Sequence, residues 1–160
     1  MSVEASLVRT LYRRLYRMAR AISYARRGTR YPRETVKACF RLAKHASPAV
    51  AQELFDRGVR TAGILKIAIQ HGGFHRKAVN GVIAMLEDYA IFPYKKKSPT
   101  RTAAILNKPL QTLKGAEKIT RDLIDWKWKW LAEVEDRLGI IFSVKAVQRL
   151  FDNKRFSGSN

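Results

Sequence analysis

The chain has 160 residues, enough for one domain or for one domain with a large extension. It is 46% hydrophobic, so it can bury a core, yet 32 Lys and Arg against 13 acids leave a net charge of +19. Such a charge opposes compaction unless a polyanion neutralises it, so RNA, an anionic membrane surface or an acidic protein is the partner class it points to. The single cysteine, Cys39, excludes an internal disulfide and a Cys-based zinc cluster. There is no apolar stretch of about 18 residues, which excludes a membrane-spanning helix.

The spacing predicts a first helix over residues 3–24. Leu7, Leu11, Leu15, Met18 and Ile22 fall in one arc of its helical wheel, with Val8 at the edge. Arg9, Arg13, Arg17 and Arg20 fall opposite, and Tyr12 and Tyr16 lie on the border. Glu4 is the only acid. One face is apolar; the other is cationic. Residues 1–44 hold twelve Lys or Arg and two acids, a balance of +10, which leaves +9 for the rest. Gly28 ends the first helix, and Pro32 suits the first turn of a second. In that second helix Val36, Cys39, Phe40 and Ala43 form the apolar stripe, with Arg33, Lys37, Arg41 and Lys44 around it.

Ser47-Pro48 predicts the start of a third helix running to about His71, buried through Val50, Leu54, Ile64, Leu65, Ala68 and Ile69. Gly58 and Gly63 interrupt it. They either admit a close neighbour or are tolerated on an exposed face. Gly72-Gly73 closes the unit, and the same break separates His71 from His75, which would otherwise be a metal pair. A fourth helix follows, over 74–90. Residues 92–101, with two prolines and four cations, read as a basic arm or linker; Lys95, Lys96, Lys97 and Arg101 are its polyanion-binding candidates. A short helical piece broken by Pro109 precedes a long helix over Ala116–Leu138. Its apolar residues include Ile119, Leu123, Ile124, Trp126, Trp130 and Leu131. Three tryptophans at every second position cannot all face one core, so at least one indole meets a partner or simply packs. Gly139 stops this helix, Ser143 caps a last short one, and 152–160 reads as a tail.

No catalytic constellation is present. There is no Gly-rich phosphate loop after a strand, no HExxH and no supported Ser/His/Asp set. Glu87-Asp88 and Glu133/Glu135/Asp136 read as solvated helix faces, and Cys39 as a small core residue. These features point away from an enzyme. They fit a cationic helix that contacts either phosphates or the carboxylates of an acidic protein helix.

Leu11-Tyr12-Arg13 in a short basic helical chain resembles the LYR-motif family (complex I LYR-like proteins). The likeness continues through Arg13-Arg14-Leu15-Tyr16-Arg17, through Phe40-Arg41 and through residues 53–69, and it covers roughly residues 5–70. A second Leu-Tyr-Arg, Leu15-Tyr16-Arg17, lies one turn on. The resemblance implies a three-helix mitochondrial adaptor that binds the mitochondrial acyl carrier protein. The carrier's acidic helices meet the basic surface, and its acyl chain, on 4′-phosphopantetheine, enters the hollow between the helices. The adaptor then needs no cofactor of its own.

The expected architecture is therefore all-α: an LYR-type three-helix domain over 1–72, a fourth helix over 73–91, the linker over 92–101 and a helical extension over 102–151. Carrier binding falls to Arg9, Tyr12, Arg13, Arg17, Arg20, Lys37, Arg41 and Lys44. The acyl tunnel falls to Leu7, Leu11, Leu15, Met18, Phe40, Gly58, Ala62 and Leu65. The first helix also has the amphipathic, Arg-rich, acid-poor character of a mitochondrial presequence. Its loss would remove the first helix of the bundle, so it reads as an uncleaved internal signal for the matrix. The extra +9 favours a mitochondrial ribosome, or its assembly intermediate, as host. A respiratory-chain complex and a free-standing RNA-binding protein are the alternatives.

Overall fold

The computed structural model describes residues 3–25, 31–88, 104–105 and 107–156. These residues form six α-helices and no strand: α1 (Ala5–Ala25), α2 (Tyr31–Ala43), α3 (Pro48–His71), α4 (Gly73–Asp88), α5 (Ala116–Leu138) and α6 (Val144–Phe156), with a 3₁₀ turn at Leu110–Thr112. The basic arm at 92–101 lies outside the described residues. No described helix is long and apolar enough to cross a membrane.

Local signals account for the boundaries. Ser47 accepts a hydrogen bond from the Val50 N–H at 3.5 Å, with Pro48 in the first turn of α3. Gly139 ends α5 in the left-handed conformation (φ 61°), and the Ile140 N–H donates back to Glu135 O at 2.9 Å. A side chain at Gly139 would also run into the Arg60 guanidinium. Ser143 caps α6 by accepting from the Ala146 N–H at 3.2 Å.

α1 packs on both α2 and α3, α4 returns along α3, and α6 packs across α2 and α3. The main core joins Leu11, Leu15 and Ile22 of α1 to Ala62, Leu65 and Ala68 of α3, Val79, Ile83 and Leu86 of α4, and Leu131 of α5. A second cluster joins Val50 and Leu54 of α3 to Val147 and Leu150 of α6. The C-terminal helices therefore share cores with the N-terminal three.

Glu135 corrects the reading of its cluster as a solvated face. It is fully buried. Its carboxylate accepts from the Phe142 N–H (2.9 Å), the Ser143 N–H (3.1 Å) and the Ser143 hydroxyl (3.0 Å), with Arg149 at 3.5 Å. Burial pushes its pKa up, against these hydrogen bonds and Arg149, which lower it. Beside it, Arg57 of α3 bridges to Asp136 at 3.0 Å, and Thr61 accepts from the Ile141 N–H at 2.9 Å. The α5–α6 turn is thus fastened to itself and to α3.

Replacing Glu135 by Ala orphans two buried N–H donors and a hydroxyl. We expect a loss of about 3 kcal/mol and a drop in thermal midpoint of about 6–12 °C, measured by circular dichroism. A drop below about 2 °C would mean that the carboxylate does not hold the turn.

Candidate functional site

Two glycines in α3 behave oppositely. A Cβ at Gly58 would lie 2.9 Å from Leu11 Cδ2, whereas one at Gly63 would meet nothing within 4 Å. Gly58 is therefore where α1 and α3 approach closely. α2 packs on α1 as well. Between it and the α1–α3 pair lies a cavity of about 370 Å³, within the roughly 300–1,000 Å³ typical of small-ligand pockets. It runs from Val3, Lys44 and Pro48 at one end to Ile22, Tyr31 and Ile83 at the other. The lining residues of α1, Val8 to Ile22, span about 21 Å at 1.5 Å per residue. Nearly all its wall is apolar. Lys44, exposed at one end, is the only charged residue lining it among the described residues.

Of the residues expected to form a tunnel, Leu11, Leu15, Phe40, Gly58 and Leu65 line this cavity. Leu7 does not, and it is 50% exposed. Met18 faces the other side of α1, in a groove shared with Arg14, Arg17 and Lys66. Ala62 is wholly buried in the main core. Sequence reasoning missed Ile141, Phe142 and Val147, which bring the C-terminal region to the cavity wall. It also missed Cys39, read as core but lining the cavity.

The Cys39 thiol is pushed up to about 12 by burial and, secondarily, by the charge of Glu135. Only the thiolate is the nucleophile, so this thiol is inert near neutral pH. The unfolded thiol ionises from about pH 9, its reference value, and the folded one does not, so this group lowers stability as pH rises above that point.

The α1–α2 seam is aromatic. Tyr12 meets Phe40 edge-on at 5.1 Å and stacks on Tyr16 at 5.9 Å. The Lys37 ammonium lies 5.9 Å from the Tyr16 ring centre and 3.1 Å from Glu34. Arg9, Arg13 and Arg20 are exposed on α1, and helical spacing sets them just beyond Tyr12 and Tyr16. Arg41 on α2 and Lys44, just after its end, are exposed. The candidates Arg9, Tyr12, Arg13, Arg20, Lys37, Arg41 and Lys44 thus border one seam. Arg17 is turned away from it, towards the groove that also holds Met18. The candidates Lys95, Lys96, Lys97 and Arg101 lie outside the described residues. Among the described residues no group of three or more His, Cys, Asp or Glu could hold a metal ion.

Comparisons with protein-family models, with curated proteins and with solved structures find no match to this chain.

A thiol reagent offers a direct check on the cavity wall. With the Cys39 thiol pushed up to about 12 by burial, very little thiolate is present at pH 8. We expect Cys39 in the folded chain to react at pH 8 at least about 100-fold more slowly than a free thiol. Denaturant should abolish the difference. Fast labelling of the native chain would refute a buried, cavity-facing thiol.

Proposed function

We propose that this chain is an LYR-type adaptor that binds an acyl carrier protein through an acyl chain carried on 4′-phosphopantetheine. The observation that carries the reading is the long apolar cavity beside a cationic, aromatic seam. An acyl chain is apolar, thin and unbranched, and its burial in such a space is favourable by about 0.8 kcal/mol per methylene. An acidic carrier helix would find Arg9 and Arg13 on α1, Arg41 on α2 and Lys44 just beyond it, where charge complementarity speeds association and fixes orientation. The Leu11-Tyr12-Arg13 sequence supports the same reading: Leu11 lines the cavity, Tyr12 forms the seam, and Arg13 is exposed beside it.

In this reading the protein is an adaptor and not an enzyme, it works in the mitochondrial matrix, and the acyl group arrives with the carrier. Its host is the mitochondrial ribosome or an assembly intermediate. The support is electrostatic: the chain beyond residue 44 still carries +9, more than one carrier requires, and ribosomal RNA would neutralise it.

A second reading follows from Lys44. A free fatty acid could lie in the same cavity with its carboxylate on that ammonium. One experiment separates the two. The full chain is titrated with acyl-loaded carrier, acyl-free carrier and free fatty acid by calorimetry. The adaptor reading predicts sub-micromolar binding of the acyl-loaded carrier, weakened about tenfold or more by Arg13→Glu. Binding of fatty acid alone, with the carrier inert, would replace it with the second reading.

A further inference from the structure

α5 carries two apolar faces. One is buried through Ile124 and Leu131, next to Glu135. The other consists of Ile119 (70% exposed), Leu123, Trp126 (60% exposed) and Trp130. It lies roughly 140° round the helix from the buried side. Two tryptophans held in water on one stripe mark an interaction surface. The spacing is 4-3-4, the seam of a two-helix pair.

The charge on α5 indicates what can approach it. The helix holds six of the 13 acids and five cations, a balance of −1, while the whole chain is +19. A nucleic acid is not attracted to such a surface. A second copy of the chain, repelled by the cationic face of α1, is not repelled here.

We propose that α5 pairs antiparallel with α5 of a second copy of this chain. With the two-fold axis between residues 124 and 125, Ile119 sits opposite Trp130 and Leu123 opposite Trp126. Every layer then sets an indole against an aliphatic side chain, the large-against-small alternation that fills a helix interface. A parallel pair would instead force indole against indole in two layers. The flank charges agree. Asp122 and Lys129 are exposed on the same side of the stripe. In the antiparallel pair each Asp122 meets Lys129 of the other copy, about 3 Å apart along the axis, and the contact occurs twice. Trp128 takes no part: it packs into the chain's own core, with the Lys145 ammonium 4.2 Å from its ring centre. One helix pair is a small interface, so the dimer forms in the micromolar range.

The test is sedimentation equilibrium of the full chain across about 1–200 micromolar. The apparent mass should rise from 18.3 kDa towards twice that value. Trp126→Lys should leave a monomer throughout. Lys129→Glu should raise the dissociation constant about tenfold or more, by replacing two attractions with two repulsions. Adding Asp122→Lys to Lys129→Glu should restore it to within about threefold. Asp122, Trp126 and Lys129 are exposed, and circular dichroism checks that each variant is folded. A monomer at every concentration overturns the proposal, as does a dimer indifferent to Trp126→Lys. Weakening by Lys127→Glu in place of Lys129→Glu would overturn the antiparallel arrangement, because that pattern belongs to a parallel pair.

Discussion

Leu11 resting against the bare backbone of Gly58 sets the geometry of the molecule. It lets α1 come close to α3 at that point, with Leu11 in the space a side chain on residue 58 would take. α2 packs on α1 along the seam where Tyr12 meets Phe40 edge-on. The space left behind is the cavity. Protein interiors are normally packed to crystal density, so an apolar void of this length carries a stability cost unless something fills it.

The C-terminal helices limit that void. Glu135 holds the α5–α6 turn, and Thr61 ties the same turn to α3. This fastening puts Ile141 and Phe142 on the cavity wall. A buried carboxylate is an expensive fastener, since burial raises its pKa and removal of its partners would leave a charge out of water. Its return is a turn whose backbone donors are satisfied and whose apolar side chains face inward. The cavity is therefore built by the whole chain, with α6 closing a space that α1, α2 and α3 begin.

The helices were legible in the sequence because their punctuation is strong. Ser47-Pro48, Gly72-Gly73, Gly139 and Ser143 each fall at an observed boundary, and α5 has the expected limits. Burial along α5 was less legible. Its periodicity fits two stripes at once, and only tertiary packing selects Ile124 and Leu131 over Leu123 and Trp130. Gly58 and Gly63 are the same residue five positions apart, and nothing local separates the one under Leu11 from the one facing open space. Glu135 was misread for a similar reason, though a signal existed: with Asp136 it puts acids in the last turn of a helix, where the macrodipole disfavours them. Cavity residues from α6 were hidden because their contacts are remote in sequence.

The central claim is that the cavity is a chamber for an acyl chain. Filling it from its own wall tests this most directly. Cys39→Leu combined with Ala51→Phe adds bulk at two lining positions without touching the cationic seam. Binding of acyl-loaded carrier to this variant is compared with wild type, alongside thermal midpoints. The account predicts an unchanged or raised midpoint and binding of acyl-loaded carrier reduced to the level of acyl-free carrier. A folded variant that still binds the acyl-loaded carrier as wild type does would contradict it.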